Sequence, residues 1–223
     1  NNSLSSSISY SKTFTGEPQV NVSLSATHSQ NTNTQVINMT LPTLQGSVSR
    51  VFPFAPKSGT KKGFLQNINF QYSLRGENRI QTTDSLFFTK EMFDSAKSGF
   101  QHNIPISTNF KLFKYLSFST SANYNATMVF NTIERSFDIE NQEVVTIDNK
   151  GYDGFSTYNF SASLGTTVYG MYDFKNKKNL QAIRHVLRPS ISYSLAPAFN
   201  QYYDTYEVVS ADGLTTSDLE YSR

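Results

Sequence analysis

The sequence predicts an all-β chain, an antiparallel transmembrane β-barrel of about eight meander strands, and three observations point there. Apolar and polar residues alternate with period two through most of the 223 residues. The polar side of that alternation is mainly Ser, Asn, Gln and Thr rather than charge. Phe and Tyr make up 14% of the chain with no Trp, while charged residues reach only 16%, against about 25% in an ordinary soluble domain.

The strands follow in order. Residues 3–14 set Leu4, Ile8, Tyr10 and Phe14 against a row of serines. After the turn cluster Thr15–Gly16–Glu17–Pro18, residues 19–29 place Val20, Val22, Leu24 and Ala26 on one face and Asn21, Ser23, Ser25 and Thr27 on the other. Residues 34–52 change face near Pro42, which predicts a bulge. In 64–82, Ile68, Phe70, Tyr72 and Leu74 oppose Asn67, Asn69, Gln71 and Ser73. In 100–112, Ile104, Ile106, Phe110 and Leu112 oppose Asn103, Ser107, Asn109 and Lys111. In 115–137, Leu116, Phe118, Ala122, Tyr124, Met128 and Phe130 oppose Ser117, Ser119, Ser121, Asn123, Asn125 and Thr127. In 155–174, Tyr158, Phe160, Ala162, Leu164 and Val168 oppose Asn159, Ser161, Ser163 and Thr167; in 182–197, Ile191, Tyr193 and Leu195 oppose Ser190, Ser192 and Ser194. Several of these runs exceed the roughly 9–11 residues that cross a bilayer when tilted. A short turn of helix is expected around Thr89 to Lys97, inside a loop.

The connections alternate in length. Thr15–Pro18, Lys111–Lys114 and Lys175–Asn179 are short; Asp84–Gly99, Asp138–Gly154 and Ala198 onward are long and polar. Outer-membrane barrels have short periplasmic turns and longer external loops. Pro53–Gly63 is long for a periplasmic connection, and Asn31–Asn33 is short for an external one. Both ends of the chain, the strand-like Asn1–Ser9 and the polar Thr215–Arg223, read as cuts through a longer protein, so residues 1–223 are expected to be a barrel segment incomplete at both ends.

The composition of the two faces separates a membrane sheet from a soluble one. A soluble sheet covers its outer face with Lys, Glu and Thr. Here the small hydroxyl and amide groups suit the wet wall of a lumen, and Phe, Tyr, Leu and Ile suit lipid, where closure into a barrel is the only sheet that satisfies the backbone. Aromatics gather by the short turns, at Phe14, Phe52, Phe54, Phe64, Phe113, Tyr115, Tyr169, Tyr172 and Phe174, as an interfacial girdle does. The candidate lumen-facing residues are therefore Asn21, Ser23, Ser25, Asn69, Gln71, Asn103, Asn109, Ser119, Asn123, Asn125, Ser161 and Ser163, with Arg184 and Arg188 joining Ser190 by parity. Such small side chains fill a tight eight-stranded interior poorly, which argues for a sector of a wider barrel.

Catalysis finds no support. His28, His102 and His185 stand apart from any metal-spaced partner and read as ordinary strand or interface histidines. There is no Cys, no Gly-x-Ser-x-Gly elbow, no Walker loop and no dinucleotide fingerprint, so no cofactor is expected. A net charge of +2 gives no case for nucleic acid. Lys175, Lys177 and Lys178, near Arg184 and Arg188, form a candidate periplasmic-side basic patch for anionic lipid phosphates, although a solvated turn explains it more simply. Pro42, Pro105 and Pro189 interrupt strands and read as bulges rather than as a soft seam. The sequons at Asn21, Asn38, Asn125 and Asn159 are chance products of a Ser/Thr-rich chain.

Ala182–Ile183–Arg184–His185–Val186–Leu187–Arg188–Pro189–Ser190–Ile191–Ser192–Tyr193 resembles a segment of the lipopolysaccharide (LPS)-assembly LptD family, which carries an Arg-His-Val-x-x-Pro-type motif leading into a strand. Asn38–Met39–Thr40–Leu41–Pro42, Arg50–Val51–Phe52–Pro53–Phe54, His102–Asn103–Ile104–Pro105–Ile106–Ser107 and Thr167–Val168–Tyr169–Gly170–Met171–Tyr172 are similar to its Bacteroidetes branch. The resemblance implies a very large barrel in the outer membrane of a Gram-negative bacterium and a periplasmic jelly roll that receives LPS. It also implies an LptE-like plug lipoprotein, periplasmic bridge components, and sideways release of LPS into the membrane lipid between the first and last strands. No jelly-roll segment is evident here, and the gate strands are expected to lie outside this stretch. A porin, a TonB-dependent uptake barrel, a small structural outer-membrane barrel and a soluble adhesin remain the alternatives by strand pattern alone.

Overall fold

The computed structural model describes residues 2–173, 182–210 and 215–222. Period-two alternation becomes a meander: β1 (Ser3–Phe14), β2 (Val20–Asn31), β3 (Val36–Val51), β4 (Asn69–Thr83), β5 (Lys97–Leu112), β6 (Leu116–Asp138) and β7 (Glu143–Thr166) each pair antiparallel with the next. β8 (Val168–Asp173) and β9 (Ala182–Leu187) form a hairpin, and β10 (Ser190–Leu195) closes the eight-stranded sheet against β7. β11 (Tyr203–Val209) and β12 (Thr216–Ser222) make a separate hairpin. Two short helices, α1 (Gly63–Gln66) and α2 (Lys90–Asp94), lie in the β3–β4 and β4–β5 connections. No helix among the described residues is long and apolar enough to cross a membrane.

The strand expectations hold closely, with four differences. Residues 64–68 are helix α1 and a connector rather than the start of a strand. The expected long loop Asp138–Gly154 is a continuation of the β6–β7 ladder around the four residues between Asp138 and Glu143. Residues 203–209 and 216–222, expected as polar loop, are strands β11 and β12. The prolines also behave differently from one another. At Pro42 the β2–β3 and β3–β4 registers both shift, so the expected bulge is present. At Pro105 and Pro189 the ladder loses rungs while the register continues: Phe70 faces Ile106 and Ser73 faces Asn103 in step, and Gly165 faces Ser190 as Val168 faces Leu187. A missing N–H leaves a gap there without inserting a residue.

β3 bulges a second time between Val48 and Val51, which the sequence pattern did not signal. That extra residue turns Arg50 back to the face that carries Ser47 and Gln45.

The sheet is one layer with two free surfaces. The chain exposes 16435 Å² to water, whereas a compact monomer of this length exposes about 10,000 Å². Tyr124 and Phe160 are 41% and 40% exposed, so the apolar face is not packed into the interior of a compact body. Among the described residues the one buried apolar cluster is small: Ile37, Met39 and Ile80 under Met92 of α2, with Ala96 beside it. β1 has a neighbour on one side only, as has β10.

Candidate functional site

Cross-strand register turns the polar residues into straight rows. Thr13, Asn21, Ser47, Ser73, Asn103, Asn125 and Thr157 face one another in succession across β1 to β7. A second row runs Asn69, Ser107, Ser121, Ser161, Ser194, and a third Asn109, Ser119, Ser163, Ser192. Ser23 stands opposite Gln45 and Ser25 opposite Thr43. Asn123 faces Pro105 and Asn159, and Gln71 lies on β4 between Asn69 and Ser73 of the same parity. Twelve of the sequence candidates thus share one face, because a strand returns a side chain to the same side every second residue.

The other two candidates lie past the end of these rows. β6 begins at Leu116, paired with Thr166, so β8 and β9 run on past the last rung of β6. Arg184 lies on that projecting hairpin, 4.5 Å from the Tyr169 ring, and Arg188 lies in the gap before β10. Lys175, Lys177 and Lys178 lie outside the described residues.

Side chains on the polar face bond to one another in short relays. Asn103 donates to Asn125 and to Asn123, the latter at 3.2 Å. The Ser107 hydroxyl donates to the Asn69 amide oxygen at 3.0 Å. Ser119 and Ser163 hydroxyls are 2.7 Å apart, Ser121 and Ser161 2.8 Å. Hollows of about 460 and 470 Å³ open on this face, the first lined by Asn21, Ser23, Gln45, Ser73 and Asn103 and the second by Asn69, Asn109, Ser119 and Ser163. Toward the β6–β7 turn, Arg75 and Arg79 both pair with Glu77, at 2.8 and 2.6 Å, and Lys97 meets Asp148 at 3.5 Å. The sequence reading missed this charged band, although Arg75, Glu77 and Arg79 share the parity of Ser73 and were open to the same argument.

The opposite face is apolar, with rows such as Tyr10, Leu24, Leu44, Gly76, Phe100, Met128 and Phe110, Phe118, Leu164, Ile191. Several of its polar groups turn onto protein, although Lys12 and His28, opposite Val22 and Met39, also lie on this face. The Thr120 hydroxyl donates to the Ser161 carbonyl at 2.9 Å, Thr108 to Phe64 at 3.0 Å and Thr166 to Tyr115 at 2.8 Å. Asn78 donates to the Leu41 carbonyl and accepts from Ser98. The Tyr72 hydroxyl lies 2.7 Å from His102 Nδ1. Buried or lipid-facing polar groups need such partners, because no water replaces them.

Among the described residues no group of His, Asp or Glu could hold a metal ion. The two-faced antiparallel meander defines the class: a β-barrel wall of the outer-membrane type. Compared with known protein families, residues 1–223 match the LptD protein family throughout, and the chain belongs to that family. Its members act in LPS transport and assembly at the outer membrane and are not enzymes, and LPS and the Lpt complex are their substrate and partners. No curated protein and no solved structure matches the chain.

Proposed function

We propose that this sheet is one sector of the wall of a larger LPS translocon barrel in the outer membrane of a Gram-negative bacterium. The polar face lines a hydrophilic lumen for the saccharide, and the Phe, Tyr and Leu face meets lipid. The observation that carries this is the sorting of hydrogen bonds between the faces. Ser and Asn side chains on one side bond to one another across strands, while Thr108, Thr120, Thr166 and Asn78 on the other bond inward to backbone carbonyls. The free edges of β1 and β10 support a wider barrel, since a sheet edge in hydrocarbon must be paired.

On this reading the end with the short β5–β6 turn faces the periplasm, where Lys175, Lys177 and Lys178 meet anionic phosphates. An LptE-like lipoprotein fills part of the lumen, and periplasmic bridge components deliver LPS from the same side. The motif pieces at residues 38–42, 50–54, 102–107 and 167–172 support the Bacteroidetes type. The chain's residues need perform no covalent step: the wall solvates the sugar and separates it from acyl chains.

Single cysteines at residues 116 to 130 test the two faces in the full-length protein in vesicles. A water-soluble maleimide is expected to label odd positions and to spare even ones. Equal labelling of Ser119 and Phe118 replacements would overturn the assignment.

A further inference from the structure

The β4–β5 connection rests on the apolar side of the sheet, not over the polar one. β4 runs without a bulge past β5, so Ile80 shares its face with Tyr72 and Leu74. Met92 of α2 is buried against Ile80, Met39 and Ile37 on that face. The segment is tied down on several sides. Gln30 donates to Asp84 at 2.7 Å, Ser95 donates to the Gln81 carbonyl at 3.4 Å, and Lys150 pairs with Asp94 at 2.8 Å.

A segment held this firmly ordinarily buries its large side chains. It exposes them instead. Phe88 is 73% and Phe93 56% exposed, with Leu86 and Phe87 also open. Phe87 and Phe88 pack edge to face at 4.4 Å, so they form one exposed aromatic knob.

The height of this knob fits a bilayer boundary. From Phe70 to Ile80 the apolar face of β4 spans ten residues, roughly 33 Å along the strand. At a tilt of about 40° that is roughly 25 Å along the membrane normal, the height of the apolar band of an outer-membrane barrel. Phe70 lies beside the α1 end, where Phe64, Phe110 and Phe118 cluster. The α2 segment lies at the other limit of the same band.

We propose that residues 84–96 are an interfacial anchor: Phe87, Phe88 and Phe93 insert at the headgroup–acyl boundary of the leaflet at the β6–β7 end, fixing the depth and tilt of this wall. The inference rests on the apolar face meeting lipid, with which the knob is continuous. Phe and Leu beside charged Lys90 and Glu91 suit a boundary with acyl chains on one side and water on the other.

The chain lacks cysteine, so single spin-labelled cysteines at Phe88, Phe93, Tyr124 and Asn141 in the full-length protein can be read in phosphatidylcholine–phosphatidylglycerol vesicles. At Phe88 and Phe93, oxygen collisions are expected to outnumber collisions with a water-soluble nickel chelate, at a shallower depth than Tyr124. Asn141, in the β6–β7 turn, gives the water reference. If Phe88 and Phe93 match Asn141 while Tyr124 stays oxygen-rich, the anchor is wrong and the lipid-facing wall stands. If Tyr124 also matches Asn141, both fall.

Discussion

Tyr72 and His102 are diagonal neighbours on β4 and β5 on the apolar side, joined by one 2.7 Å hydrogen bond. A single substitution there is costlier than a double one. Tyr72→Phe leaves a half-buried imidazole nitrogen without its partner, at about 1–3 kcal/mol, whereas removing both polar groups for apolar ones of similar shape is close to neutral. Urea unfolding of Tyr72→Phe, His102→Leu and the double variant in detergent micelles is expected to give a non-additive cycle, with the double variant more stable than Tyr72→Phe. An additive cycle would mean that the bond contributes nothing. The histidine itself was legible only as an isolated residue, because its partner lies thirty positions away in sequence and meets it through strand pairing.

At the scale of elements, the bulge at Pro42 decides which residues seat α2. The extra residue in β3 turns Ile37 and Met39 to the face of Ile80. Deleting Pro42 restores simple alternation and sends both to the polar face, since a one-residue slip reverses every side chain. The expected loss is about 3 kcal/mol or more, from two large apolar side chains returned to water, read as a lower unfolding midpoint. The anchor has its own electrostatic clamp. The Asp94 carboxylate is held below its ordinary range by the hydrogen bond from Lys150 and then by that ammonium's charge. A depressed carboxyl supports the folded clamp while ionised, so its contribution is present above the ordinary Asp value of about 4 and is lost as pH falls through the lower folded value. A spin label at Phe88 should gain mobility on acidification below about 4, and Asp94→Asn should show that mobility already at neutral pH.

The strands that line the band were legible because each has an apolar neighbour on one side and a polar one on the other. The far parts of β6 and β7 lack that contrast. Glu134, Asp138, Glu143, Asp148 and Lys150 scatter charge there, and beside the backbone ladder the Asn149–Glu134 hydrogen bond joins the two strands. Period-two reading depends on a face that meets something apolar, so it took the first half of β7, and β11–β12 after it, for loop. The second bulge of β3, which returns Arg50 to the polar face, had no proline or glycine to mark it.

At the scale of the molecule, the absence of a large core is the organising fact. The sheet gives up the usual interior and leaves both surfaces free for other media. Family membership and the two-faced sheet then agree on a β-barrel wall of the outer-membrane type. The β8–β9 hairpin adds to this, projecting six residues, or about 20 Å, past the start of β6.

The rows of Ser and Asn also bear on movement. Along any one strand, equivalent hydroxyl or amide groups recur every second residue, about 6.6 Å apart, as Ser119, Ser121, Asn123 and Asn125 do on β6. A neutral hydrogen bond exchanged with water nets only about 0.5–1.5 kcal/mol. A sugar sliding along such a track, as the proposed lumen requires, trades each partner for a near-identical one a few ångströms on. Its energy profile is a shallow ripple, so friction stays low and direction comes from whatever pushes behind.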